Sequence, residues 1–140
     1  MDRRLLPPIA LLFALAGCGP SYDWTGQWVG NRNLQTKPGD NPAIAYTIGK
    51  VDLTIQPSGR FTLIEGGVPK TGIATFRGRR AELRIETYMD RPIARLGSGA
   101  EEMNKPVVLE AKDDGTITLI DPTGFDPAPI ILTRKWETQR

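Results

Sequence analysis

Cys18 is the only cysteine in the chain, it directly follows the small pair Ala16-Gly17, and none of the 140 residues is a histidine. Those facts remove most covalent chemistry. Without imidazole there is no side chain that titrates unaided near neutral pH, and the commonest zinc ligand is missing. One thiol allows a single covalent modification and no disulfide within the chain. Ser21, Ser58 and Ser98 stand in the sequences SYDW, SGRF and SGAE, none of which is a G-x-S-x-G elbow or an S-x-x-K pair. Acyl transfer therefore has no recognisable nucleophile motif. A pair of carboxylates could hydrolyse a sugar linkage if one stayed protonated. Asp52, Glu65, Glu82, Glu86 and Glu110 all alternate with apolar neighbours, a pattern that sends them to solvent, where nothing shifts a pKa. Asp113-Asp114-Gly115 lacks the spaced oxygens of a calcium loop and reads as a hairpin turn, and Asp121 and Asp126 each precede a proline, which favours turns. The chain reads as a non-enzyme, with no catalytic residue, metal ligand or cofactor expected.

What Cys18 can do depends on what precedes it. Residues 5–16 form an apolar run behind Arg3 and Arg4 and end in small residues, the layout of a secretory signal. The run falls well short of the roughly 20 residues that span a bilayer. Leu15-Ala16-Gly17-Cys18 resembles the lipobox of bacterial lipoproteins. The resemblance implies cleavage between Gly17 and Cys18, a thioether-linked pair of acyl chains on Cys18, and a further palmitate-like chain on its new amino group. Each buried methylene contributes about 0.8 kcal/mol, and two or more chains anchor stably. The implied partner is a membrane and the implied location extracytoplasmic. In a diderm host it would be the outer membrane, because Gly19 stands where inner-membrane members of that family carry Asp. Residues 1–17 are then the signal peptide, 18–23 the lipidated cysteine and a short tether, and 24–138 the folded domain.

Loss of Asp2, Arg3 and Arg4 with the signal takes the 18 basic and 16 acidic residues of the chain to 16 and 15. Such a balance argues against nucleic acid as a partner. The remaining length suits one domain that buries roughly two-thirds of its unfolded surface. With no disulfide to help, stability must come from the core.

The elements that would position any site are short and alternate apolar with polar side chains. No stretch keeps a helical apolar period for three turns, so the pattern predicts antiparallel β structure. Residues 24–31 form the first strand and 33–42 a polar loop. Residues 44–56 read as one long strand whose apolar phase changes at Gly49-Lys50, predicting a bend there. Strands at 71–76, 81–89, 107–112, 116–121 and 130–137 follow, with Phe61 and Leu63 on a further one. Residues 90–106 break the rhythm as either a mobile lid or a short helical excursion, and 121–129 form a proline-punctuated loop. The fold class is all-β, a single small meander barrel or barrel-like sandwich of about eight strands.

Gly26-Gln27-Trp28 on the first strand and Arg134 on the last resemble the calycin group of small barrels, which includes the lipocalins. The resemblance implies that Arg134 packs over the Trp28 face and closes one end of the barrel. Other lipocalin motifs, the disulfide and a helix after the last strand are not present, and the tryptophans of an avidin biotin site are missing. Two functions follow. A structural or interaction lipoprotein would have a solid barrel whose surface binds an envelope protein or cell-wall polymer. The alternative is a lipocalin-like carrier with a small hydrophobic ligand lined by Tyr46, Phe61, Phe76 and Leu83. Arg77, Arg79, Arg80 and Arg84 cluster around one hairpin and could dock on anionic headgroups or polysaccharide, with Glu82 and Glu86 available to compensate them.

Overall fold

The computed structural model describes residues 22–136. The signal segment, Gly17 and Cys18 lie outside the described residues.

Alternation along each segment produces nine strands: β1 (Gly26–Asn31), β2 (Lys50–Ile55), β3 (Arg60–Glu65), β4 (Val68–Arg77), β5 (Arg80–Tyr88), β6 (Arg91–Pro92), β7 (Val107–Ala111), β8 (Ile117–Ile120) and β9 (Ile130–Arg134). All pairings are antiparallel. Eight strands close a ring in the order β1-β2-β3-β4-β5-β7-β8-β9, because β9 pairs with β1 and β4 with β5. The two-residue β6 hangs on the end of β5 as an extra strand. This is the closed meander barrel that the alternation predicts, and closure satisfies the edges that an open sheet would expose.

One residue in two points inward, and cross-strand register stacks those residues into layers. Trp28 faces Leu53, Leu53 faces Leu63, Ala74 faces Leu83, and Leu83 faces Val107. Leu109 faces Leu119, and Leu119 faces Ile130. Trp28, Leu53, Leu63, Leu83, Leu109, Leu119 and Leu132 all have 0% of their surface exposed. A side chain with no surface open to a water-sized sphere borders no void that could hold a single water. The bore is therefore filled by its own side chains.

Two expectations need correction. Residues 44–56 are not one bent strand: a helix, α1 (Pro42–Gly49), precedes β2, and the phase change at Gly49-Lys50 is the boundary between them. The start signals outweigh the apolar alternation. Asn41 caps the helix by accepting a 2.9 Å hydrogen bond from the Ala43 amide, and Pro42 supplies a pre-set φ in the first turn. Residues 90–106 take the helical form of the two expected. Turns at Ile93–Arg95 and Gly97–Gly99 lead into α2 (Ala100–Met103), with Ile93 buried and Leu96, Ala100 and Met103 packed on the core.

The two ends of the barrel differ. At one, the connections between strands are tight: residues 56–59, 78–79 and 112–116. Residues 22–25 enter the barrel here and 135–136 leave it; being the end nearest the tether expected from the sequence, it is called the tether end. At the far end, one tight turn at Gly66-Gly67 accompanies long segments at 32–49, 89–106 and 121–129.

Arg134 closes the tether end as the calycin resemblance implies. Its guanidinium carbon lies 4.2 Å from the Trp28 ring centroid. One of its nitrogens donates to the Asp23 carbonyl at 2.6 Å and another to the Thr25 carbonyl. The Trp28 indole in turn donates to the Trp24 carbonyl at 3.0 Å, and Trp24 is buried beneath Tyr22. Gly26 permits this packing: its φ is +123°, and a Cβ there would stand 3.1 Å from Arg134 Nη1. The entering chain is therefore bonded to the last strand before β1 begins.

Arg134→Ala removes the stacked cation and two carbonyl partners, and should cost about 1–3 kcal/mol of unfolding free energy. Arg134→Lys keeps the charge without the planar fork and should recover less than half of that. Urea unfolding measures both, and faster amide exchange at residues 22–27 should accompany the loss.

Candidate functional site

Three strands carry a charge where the inward sequence positions reach the far end. Phe61 and Leu63 point inward, so Glu65 does too; Ala74 sets the same parity for Lys70; Ile117 and Leu119 set it for Asp121. All three are buried, at 5%, 2% and 0% exposure. Glu65 and Lys70 are brought together by the Gly66-Gly67 turn, whose φ values of +58° and +83° suit a two-residue hairpin between β3 and β4.

The Lys70 ammonium uses all three of its protons. It donates to Asp121 Oδ2 at 2.6 Å, to Glu65 Oε2 at 3.1 Å and to Thr123 Oγ1 at 3.1 Å. Asp121 Oδ1 accepts from the Thr123 amide at 2.7 Å and from its hydroxyl at 2.5 Å, so the turn expected at Asp121 does form around its carboxylate. Arg32, just past β1, reaches in from the other side. It donates to Glu65 Oε1 at 3.1 Å and to the Ala128 carbonyl at 2.8 Å, beneath the Phe125 ring. Two cations and two carboxylates thus tie the 32–49 and 121–129 segments to the ends of β3 and β4.

Charges in so dry a place perturb each other. Burial and the adjacent Asp121 carboxylate push Glu65 up to about 7, against the pull of Lys70. Burial alone would raise Asp121 as well, but bonds from Glu65, Lys70 and Thr123, together with the Lys70 charge, hold it at about 2. Two carboxyls driven apart in pKa are the pattern of an acid and base pair. Here Lys70 is bonded to both, and both are buried. The arrangement braces the end of the barrel.

The expectation that Glu65 points to water is therefore wrong, while Glu82 and Glu110 are exposed. No motif singles out Lys70 or Arg32. The signal for Lys70 is parity: an inward strand position occupied by a charge implies a partner across the barrel.

The four proposed ligand-lining residues do not meet. Phe61 and Leu83 lie in the filled core, Tyr46 is 63% exposed on α1, and Phe76 is 40% exposed near the tether end. Helix formation carries Tyr46 away from the bore. The grooves of the molecule are external; one of about 410 Å³ runs between Asn31–Asn33 and residues 126–131, over Arg32. Arg77, Arg79 and Arg80 do share the β4–β5 hairpin at the tether end, with Arg84 on the outer wall of β5. Arg79 pairs with Asp113 at 2.7 Å, Arg80 with Glu110 at 3.5 Å and Arg84 with Glu86 at 3.9 Å. Among the described residues Arg77 has no ion pair. No group of three or more potential metal ligands occurs among the described residues. No family model and no curated protein sequence matches the chain.

Lys70→Ala leaves two buried carboxylates without their shared cation and should cost about 3–5 kcal/mol, seen as a lower urea midpoint at unchanged m-value. The pH dependence has a definite sign. Folded Glu65 keeps its proton to about 7, whereas the unfolded group releases it near 4.5, so its contribution is full below 4.5 and fades as pH rises through 7. Asp121 contributes above 3.8, and that contribution is lost as pH falls through about 2. Stability should decline by on the order of 2–3 kcal/mol from about pH 5 to about pH 8. Glu65→Gln should flatten that decline and leave the acid loss in place. An identical slope in the variant would assign the decline to other groups.

Proposed function

We propose that this chain is an envelope lipoprotein, held at a bacterial membrane through acylated Cys18, whose barrel is a structural and interaction module. The packed interior carries the reading. A carrier of hydrophobic ligands needs a cavity of roughly 300 Å³ or more, and the inward side chains leave none beside Trp28, Leu53, Leu63, Leu83 or Leu109. Work must then be done at the surface. The far end offers it: Ile44, Tyr46 and Ile48 of α1 are 58%, 63% and 43% exposed, and Phe125 is 61% exposed beside Arg32. Ile44 and Ile48, four residues apart, share one face of α1; exposed apolar side chains of this kind mark a surface that is covered in use, and an envelope protein is the partner it suits. The reading includes no catalysis, since the perturbed carboxyls are sealed in the brace.

Anchoring fits the rest of the chain. Among the described residues no helix is long and apolar enough to cross a membrane. The Leu15-Ala16-Gly17-Cys18 sequence supplies the attachment instead, at the outer membrane if the host is diderm.

Metabolic labelling with a clickable fatty acid should mark the wild-type chain and not Cys18→Ala, which should also migrate more slowly as the uncleaved precursor. Unlabelled wild-type protein would sink the anchor. A photo-crosslinking amino acid at Ile44 should trap a discrete partner in the native envelope, and Ile48→Asp, on the same face of α1, should abolish the adduct. A thermal shift of several degrees with a panel of fatty acids and hydrophobic metabolites would revive the carrier instead.

A further inference from the structure

We propose that the tether end of the barrel lies on an anionic phospholipid surface, with Trp136 seated among the headgroups and α1 held away from them. The inference rests on acylation of Cys18 and adds an orientation that acylation alone does not supply. Length is the first argument. Four backbone steps separate Cys18 from Tyr22, and a fully extended chain covers about 3.6 Å per step, so the entry point of the barrel stays within about 15 Å of the lipid. Strands of six residues, tilted as in a closed barrel, put the far end roughly 15–20 Å beyond the tether end.

Charge is the second argument. The tether-end segments, residues 22–25, 56–60, 77–80, 112–116 and 134–136, hold seven Lys or Arg against three Asp. The far-end segments, residues 31–50, 65–70, 88–107 and 120–130, hold seven of each sign. The molecule is thus polarised along the barrel axis, positive where the tether starts. Arg77 and Lys112 have no ion pair among the described residues, and the bonds of Arg79 and Arg80 are exposed ones that water screens. The tether keeps those charges within about two screening lengths of anionic headgroups, the screening length at physiological salt being about 8 Å, so the attraction takes hold as this end settles on the surface.

Aromatic placement is the third. Trp136 is 78% exposed and Phe76 40% exposed, on either side of Tyr22, which borders the groove beside each. Indole and phenol rings favour the headgroup zone, where an apolar body and a polar edge are both accommodated. The apolar side chains of α1 are the competitor for the membrane, and they sit at the opposite end.

The test uses full-length protein purified in detergent and returned to vesicles of phosphatidylethanolamine and phosphatidylglycerol. Trp24 and Trp28 are 4% and 0% exposed, so the difference in emission between wild type and Trp136→Phe isolates Trp136. A headgroup-level spin-labelled lipid should quench that component at least twofold. An environment-sensitive fluorophore on Tyr46→Cys should remain unquenched and red-shifted, as in water. Raising salt or replacing phosphatidylglycerol by phosphatidylcholine should reduce the Trp136 quenching by about half or more. A quenched label at residue 46 with unquenched Trp136 would reverse the orientation. Both unquenched would mean that the barrel floats free of the surface and overturn the proposal. A thiol titration separates this from the anchor itself: no free thiol in wild-type protein means Cys18 is acylated, whereas one free thiol removes the anchor and the orientation with it.

Discussion

A ring of eight strands leaves a bore that only side chains can fill, and the rest of the molecule follows from filling it. Each inward position has to be apolar and of the right size, or else charged and fully partnered. Leu53, Leu63, Leu83, Leu109 and Leu119 meet the first condition through the middle of the barrel. Near the ends the layers run out, and water would enter unless something stops it. The two ends are stopped by different physics.

At the tether end the stopper is aromatic. Trp24 and Trp28 lie beneath Tyr22, and Arg134 covers the outer indole face while bonding the entering chain. A flat cation suits this place, because its face rests on the ring and its edge reaches carbonyls. At the far end the stopper is ionic, with Lys70 satisfied by three oxygens and Glu65 shared between two cations. Such a network contributes little net stability when intact, but any missing member leaves a bare charge in a dry place. It acts less as glue than as a constraint on which loops can sit where. The 32–49 segment must deliver Arg32 and the 121–129 segment must deliver Asp121 and Thr123, or the end cannot close.

Much of this is legible in the residues alone. Alternation in 81–89 and 107–121 specifies strands, while the pairing of the Trp28 and Arg134 strands is implied only by the resemblance to calycins. Two things are not legible by the same route. The helix α1 shares its apolar alternation with a strand, and only Asn41-Pro42 announces it, a local signal that a pattern search over longer windows passes by. Glu65 reads as solvated because its neighbour Ile64 is apolar. The neighbours that decide its face are Leu63 and Phe61, two and four residues away, since side chains in a strand alternate between faces. Lys70 is hidden when the strand is taken to start at Thr71: β4 begins at Val68, and the Gly66-Gly67 turn that starts it pairs Glu65 with Val68.

The connections at the two ends are of unequal length, and this separates what the fold can change from what it cannot. Tight turns of the 78–79 kind tolerate few replacements, because each sets the register of the strands on both sides. The long segments at the far end, apart from the residues that hold the charge network and Ile93, Leu96, Ala100 and Met103 on the core, can gain, lose or exchange side chains without moving a strand. Over generations the barrel would keep a slowly changing base and carry a freely changing crown, so that related chains could share an attachment and differ in what they meet.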